Sequence, residues 1–418
     1  MYKRGRMIFH RNVLGRLSFM AAHFPVVMVC GARQVGKTTL LKEFAQKNGE
    51  INYVTLDYPN VRELAKSDPA LFLKQYKKEN VPLIIDEIQY VPEILSYIKI
   101  YVDENALSEN CSGQFFLTGS QMFYLMKNVS ESLAGRVGII SLYSFSRREI
   151  FSLDSVPFLP ANDFSKIKKT SGKSSVFDDI YRGGMPKMIT DPELSPEDFF
   201  GSYMQTYLER DIRDLINIKN ESKFLKFISC VAARTAQEVN LSDISKDVGI
   251  DGKTAESYLS ILVSSGIVYL LSPYSANTIK RIVKRPKLYF MDTGLCCYLS
   301  LWNNPQALEV SAMAGNMFET YVVSEIIKSY ANAGIDVRNR LFYYRDNNKK
   351  EIDLLIVQNG KIYPIEIKKG ASPTKEALKN FSVLESLGTE TGDGAVICQS
   401  DMIVPLDEKN SLIPFEYI

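Results

Sequence analysis

The sequence has no disulfide framework and no zinc signature. Its six cysteines include no C-x-x-C pair, and two of them, Cys296 and Cys297, are adjacent. That pattern argues against a small disulfide-stapled fold or a zinc ribbon, and suits a reducing cytoplasm. No apolar run approaches the roughly 18 residues of a membrane span. The basic start MYKRGR leads into a segment holding His10, Arg11, Arg16 and His23 rather than a clean apolar stretch, so a secretory leader is not expected. A net charge of +2 over 418 residues excludes a polycation, and any nucleic-acid contact must be a local patch. What remains is ordinary soluble composition, 45% hydrophobic and 23% charged. The length suits two or three domains with full cores. The chain is expected to be soluble and cytoplasmic, with no membrane partner.

Against those absences stands one phosphate-binding pattern. In PVVMVCGARQVGKTTLL a buried apolar strand, Val26 to Cys30, runs into G-x-x-x-x-G-K-T and then a helix, which is the context a P-loop needs. The loop Gly31, Ala32, Arg33, Gln34, Val35, Gly36, Lys37, Thr38 and Thr39 is expected to cradle ATP. The glycines let backbone N–H groups close on phosphate, Lys37 reaches the β/γ-phosphates, and the Thr38 hydroxyl ligates Mg2+. About fifty residues on, VPLIIDEIQ ends a central strand in Asp86, a water-mediated magnesium ligand, followed by Glu87, the base for an attacking water. In GQFFLTGSQ, Thr118 or Ser120 offers a hydroxyl to the γ-phosphate or the water; an ordinary strand-to-turn Thr-Gly-Ser is the competing reading. Arg136, in SLAGRV, is a candidate to complete the site during transfer, against an arginine in a surface turn.

GARQVGKTTL, LDYP, LIIDEIQ, FLTGSQ and SLAGRV, in that order, resemble the archaeal-type AAA ATPases. The resemblance covers residues 1 to about 150 and implies a doubly wound P-loop NTPase (AAA/ASCE) sheet with ATP at the carboxyl ends of its strands. It also implies that Asp57 lies near the site.

The middle of the chain reads as a connector followed by a recognition module. Residues 154 to 176 are polar and rich in Ser, Lys and Pro, a loop or insertion. YRGGMPKM favours a tight turn, and from Pro196 apolar residues recur at helical spacing. Tyr207, Arg210 and Asp211 in that stretch form either a coupling site back to the ATPase or part of a plain amphipathic helix. A short helix (Leu241 to Val248), a turn, a second helix (Lys253 to Ser264), Gly266 and a β-rich segment make the order of a winged helix. Lys253 on the second helix, with Lys280, Arg281, Lys284, Arg285 and Lys287 where a wing would lie, suits phosphate contact with DNA. Docking of a protein or of a second copy is the alternative.

The last stretch to carry chemistry is KEIDLLIVQNGKIYPIEIKK. Asn359-Gly360 between alternating runs signals a hairpin, because a type I′ turn needs positive φ at both central residues. Asp353 then faces Glu366, and Glu351 faces Lys368, with Ile352, Leu354, Ile365 and Ile367 on the other face. Carboxylates about 5 Å apart repel unless something positive lies between them, so this face reads as built for a cation. Upstream, Glu319 sits among apolar residues on a helix, where an acid needs a partner. Helix, three strands and a further helix (TKEALKNFSVLESL), carrying these acids, are similar to the PD-(D/E)XK nucleases over about residues 312 to 400. That resemblance implies Asp353 and Glu366 as magnesium ligands, Glu319 as an accessory ligand or base, and Lys368 as an electrostatic catalyst. The extra acid Glu351 departs from the pattern and could crowd Lys368. A solvated strand face with a cross-strand ion pair worth at most about 1 kcal/mol is the plain alternative.

The expected architecture is α/β: an AAA P-loop ATPase domain at 1–150, a helical connector at 177–235, a winged helix at 236–295, and a restriction-endonuclease-like domain at 310–418. The whole is similar to a widespread group of prokaryotic ATP-binding proteins whose C-terminal half has no assigned function. The leading expectation is a DNA-directed ATPase using ATP and Mg2+, coupled to the winged helix and the nuclease-like module. The alternative is a regulatory or signalling ATPase whose nuclease-like module is an inactive dock. A transport-type or chaperone-like machine would need rings.

Overall fold

Five short runs of the first third form one sheet: β1 (Val26–Cys30), β2 (Asn52–Thr55), β3 (Leu83–Asp86), β4 (Phe115–Gly119) and β5 (Val137–Ser141). All pair in parallel, in the order β2-β3-β4-β1-β5. The computed structural model describes residues 9–106, 111–119, 132–172, 174–207, 221–275 and 285–418. Along β1, Val27 and Val29 point to one face, with the helices Leu14–His23 and Lys37–Asn48. Val26, Met28 and Cys30 point to the other, with Pro59–Ser67, Pro69–Tyr76 and Ile94–Glu104. A sheet covered on both faces explains why its strands read as continuous apolar runs. The first face has a further property: its core continues without a break through Phe177, Phe200, Phe227, Tyr289, Phe318, Ile326 and Ile365. The remaining two-thirds of the chain is therefore packed on the side that carries the P-loop helix.

Of the loop expected at 154 to 176, the described residues through Ser175 contain no helix or strand, and Val176 opens a helix. They are nonetheless tied down: Phe158 is buried, and its N–H and C=O bond Ser329 Oγ (3.2 Å) and Tyr330 Oη (2.9 Å). Helices Val176–Arg182, Pro186–Thr190, Pro196–Tyr207 and Glu221–Ala232 follow. The helices Leu241–Val248 and Gly252–Ser264 are capped by Asn240 and Asp251. Strands on either side of them form an antiparallel sheet, β6 (Gln237–Glu238) before and β7 (Val268–Leu271) and β8 (Lys287–Phe290) after, with β8 central.

The long helix Ala314–Asn332 is buried on nearly every side, as befits a helix enclosed between two modules. Beyond it lie β9 (Leu341–Arg345), β10 (Glu351–Gln358), β11 (Lys361–Ile367), β12 (Glu390–Thr391), β13 (Gly394–Cys398), β14 (Val404–Pro405) and β15 (Asn410–Pro414). β9, β10 and β11 form an antiparallel meander, and β13 and β15 continue the sheet parallel to β11. The hairpin turn has φ +53 at Asn359 and +78 at Gly360, and Leu354 pairs with Ile365 in the expected register. Two features differ. A bulge between Ile352 and Leu355 resets the alternation, so Ile352 joins the cluster of Leu355 and Ile362 rather than that of Leu354 and Ile365. The expected helix near 375–387 is two 3₁₀ segments, Lys375–Leu378 and Phe381–Leu387, divided at Asn380, whose side chain bonds Glu351 O at 2.7 Å.

Candidate functional site

The loop after β1 closes so tightly that a Cβ on Gly31 would lie 2.0 Å from Leu142 O, and only glycine fits. Gly36 begins the helix Lys37–Asn48 without any side-chain cap, leaving first-turn N–H groups for an anion. Lys37, buried, donates to Gly31 O (3.0 Å) and Ala32 O (2.9 Å) across the same loop. Burial pushes its ammonium below the ordinary value, against the pull of Glu87. Behind the loop, Arg11 donates to Val35 O (3.1 Å) and pairs with Glu149 (3.2 Å), both side chains buried.

Asp86 stands at the end of β3, surrounded by neutral hydroxyl donors. Thr38 Oγ1 lies 2.9 Å from Asp86 Oδ2, Tyr53 Oη donates at 2.7 Å, and Thr118 donates to Asp86 Oδ1. Thr118 is fully buried and also accepts from the Glu87 N–H at 3.2 Å. Its hydroxyl thus orients the two acids rather than facing open space. Glu87 takes a left-handed φ of +59, a strained conformation for a side chain of this kind, and accepts from Gln89 Nε2. Ser120 lies outside the described residues. Asp57, expected near the site, is exposed just beyond β2.

Arg33, Gln34, Gly36, Lys37, Thr38, Thr39 and Glu87 line one wall of a cavity of about 730 Å³. The opposite wall, which the sequence reading missed, comes from the next module: Pro186, Lys187, Thr190 and Thr206. Lys187 is exposed and pairs with Asp191 at 2.8 Å. The signal was present in YRGGMPK, read simply as a tight turn. A Cβ on Gly184 would lie 2.4 Å from Phe145 O, so glycine lets this segment press against the chain just beyond β5.

Arg136 is placed where it cannot reach this cavity in its own chain. Its carbonyl accepts from Val26 N, at the start of β1, whereas the P-loop follows the end of that strand, at least about 13 Å away along a parallel sheet. Its guanidinium forks onto Asp103, at 2.5 and 3.1 Å. The sequence SFSRRE, also missed, joins the halves. Ser146 and Glu149 form a capping box, while Arg147 N donates to Glu325 Oε2 (2.7 Å) on the long helix and the Arg147 side chain bonds Thr170 (2.7 Å) and Asp179.

Of the expected basic patch, Lys253 and Arg285 are exposed. Lys280, Arg281 and Lys284 lie outside the described residues. Lys287 is a correction: it is 2% exposed and cannot meet a phosphate backbone. As the first residue of β8 it points inward, 3.0 Å from Glu319 Oε1, 2.5 Å from Glu351 Oε1 and 3.8 Å from Asp353 Oδ1. Glu351 therefore turns to Lys287 and Arg345 (3.6 Å), not to Lys368. Lys368 pairs with Glu366 at 2.6 Å. Asp353 Oδ2 accepts from Ile367 N at 2.8 Å, which takes over where the ladder stops. Burial, then the Asp353 charge, raises the pKa of both Glu319 and Glu366. The metal group expected of Glu319, Asp353 and Glu366 is not formed: among the described residues no three His, Cys, Asp or Glu are arranged to hold an ion.

The parallel β2-β3-β4-β1-β5 sheet with this loop and these acids defines a P-loop ATPase domain of the AAA type. Consistently, an AAA domain model matches residues 23–151, and two domains of unknown function, DUF8612 and DUF4143, match residues 174–306 and 314–418. Uncharacterized proteins from Mycobacterium tuberculosis and Mycobacterium bovis are each 28% identical over 372 residues, covering 88% of this chain and 76% of theirs. Among solved structures, the Walker-type ATPase PABY2304 of Pyrococcus abyssi is similar at a TM-score of 0.46 and 14% identity, over 70% of this chain and 96% of its own. A RuvB variant from Thermotoga maritima is similar at 0.32 and 18% identity, over 62% of this chain and 88% of its own. No helix among the described residues is long and apolar enough to cross a membrane.

Proposed function

We propose that the chain binds and hydrolyses ATP with Mg2+ and uses the nucleotide as a switch sensed by its own C-terminal two-thirds: a regulatory ATPase whose last domain docks rather than cuts. The observation that carries this reading is the shared cavity, with the P-loop and Glu87 on one wall and Pro186, Lys187, Thr190 and Thr206 on the other. A phosphate seated on the loop would meet both walls, so its presence or loss biases how the two halves meet. Thr38 and Asp86 supply the hard oxygen donors that Mg2+ takes, and the ion would offset charge developing on the phosphates. Lys37 is freed by phosphate from the two loop carbonyls it now holds. Glu87 orients and deprotonates the attacking water, and Thr118 positions Glu87 and Asp86.

The long helix, the β9–β11 meander and β13 keep an order similar to PD-(D/E)XK nucleases. Lys287 stands among these carboxylates, where a metal ion would have to sit, so we assign that domain no cleavage. A second reading, DNA-directed turnover, is favoured by Lys253 and Arg285, exposed on a module with winged-helix order. The experiment is steady-state ATP turnover with and without single-stranded, duplex and branched DNA. A rate indifferent to all three supports the regulatory switch; stimulation by one class selects the DNA-directed reading. Absence of turnover, with or without DNA, overturns both.

A further inference from the structure

The acidic face of the C-terminal sheet was expected to hold a cation, and it does hold one: the chain's own lysine. We propose that Lys287 is an internal counter-ion standing in the place of a divalent metal, and that it keys the three-stranded sheet into the C-terminal domain while keeping a latent cation site closed. This inference is independent of ATP turnover.

The geometry is that of a socket. Lys287 comes from β8, while its acceptors come from the long helix (Glu319, 3.0 Å) and from β10 (Glu351, 2.5 Å; Asp353, 3.8 Å). An ammonium has three N–H donors and no acceptor, and carboxylates from two other elements surround this one. Tyr289, two residues along β8 and so on the same face, donates to the same Glu319 oxygen at 2.7 Å. The seam beside it is stitched by two backbone bonds, Tyr274 N to Tyr343 O at 2.6 Å and Tyr343 N to Ser272 O at 3.1 Å, and by the Tyr343 hydroxyl, which donates to Glu238 at 3.0 Å.

A second, independent observation lies beside the socket: a buried carboxylate there is short of a donor. Glu366 is 7% exposed, and its Oε2 is buried with no hydrogen-bond partner, while its Oε1 takes Lys368. A buried carboxylate oxygen left without a donor is costly, and a cation in the cluster would satisfy it. With Lys287 seated, four acids (Glu319, Glu351, Asp353, Glu366) are met by Lys287, Lys368 and Arg345, the last shared with Glu238 at 3.2 Å. Little negative charge remains to bind a divalent ion. With Lys287 withdrawn, the same acids have the hard-oxygen chemistry that Mg2+ or Mn2+ binds.

The test is Mn2+ titration of the full chain, read as ions bound per chain and as thermal stability. Lys287→Met is expected to unfold at a lower temperature than wild type, to bind one more Mn2+ per chain, and to recover stability with Mn2+ by several degrees more than wild type does. The double variant Lys287→Met/Asp353→Asn is expected to lose both the extra ion and the recovery. A folded Lys287→Met that gains no Mn2+ overturns the proposal. If Lys287→Met is insoluble, Asp353→Asn in an otherwise wild-type chain decides: unchanged Mn2+ stoichiometry supports a socket closed by lysine, and loss of an ion shows that metal was there all along.

Discussion

Two acidic centres in this molecule were read from sequence as metal sites, and they are solved in opposite ways. At Asp86 the hydrogen-bond donors are the hydroxyls of Thr38, Thr118 and Tyr53, which carry no charge. The carboxylate is oriented by neutral donors, and in the proposed function a cation would arrive there with phosphate. At Glu319, Glu351 and Asp353 the neighbour is Lys287, which donates hydrogen bonds and cancels charge together. Burial pulls the Lys287 ammonium down, yet Tyr289, Glu319, Asp353 and Glu351 outweigh it and hold its pKa well above the ordinary value. Identical ligand chemistry thus gives an open centre in one place and a closed one in the other, and the charge of the donors decides which.

The comparison can be broken most forcefully by removing the charge at each centre. Lys287→Met removes the buried cation that Glu319, Glu351 and Asp353 share and is expected to cost about 3–5 kcal/mol in denaturant unfolding. Glu87→Gln, beside Asp86, is expected to leave stability near wild type and ATP binding intact, while turnover falls ~10²–10⁴-fold. A stopped assay for phosphate release beside an equilibrium ATP-binding titration separates the two. If Lys287→Met unfolds like wild type, the closed centre is not closed by that lysine.

Smaller effects sharpen the picture. Lys187→Ala, on the far wall of the cavity, is expected to raise the KM for ATP severalfold with kcat little changed, as for a contact made equally in ground and transition states. An unchanged KM would remove the second wall from the site. Arg136→Ala is expected to change neither stability nor turnover in dilute protein, because Arg136 sits at the opposite end of the sheet and pairs with Asp103 in solvent. Should turnover of the parent rise with protein concentration and that of Arg136→Ala not, the arginine serves a neighbouring chain.

Much of this was legible because it is contiguous. The P-loop is one run of residues between a strand and a helix, and the Asn359-Gly360 turn fixes its own register by φ alone. What escaped notice was non-local. Pro186 and Lys187 are about 150 positions from Lys37, and no spacing rule connects them. Lys287 stands two residues after Arg285 and reads as part of the same patch, yet Lys287 opens β8 and is buried, while Arg285 precedes the strand and is exposed. The bulge in β10 moved Ile352 to another cluster, because an extra residue in one strand shifts the two-residue alternation and no pattern of apolar residues announces it.

By itself, then, the sequence determined a nucleotide loop, its strand-borne acids, the helices around Leu241–Val248 and Gly252–Ser264, and a hairpin with acids on it. Local backbone preference and periodicity suffice for such features. Only the tertiary structure decided which cation meets which acid, because charge compensation depends on what other elements bring within about 4 Å. It was the packing of β8 against the long helix and β10 that filled one acidic centre with lysine and left the other free.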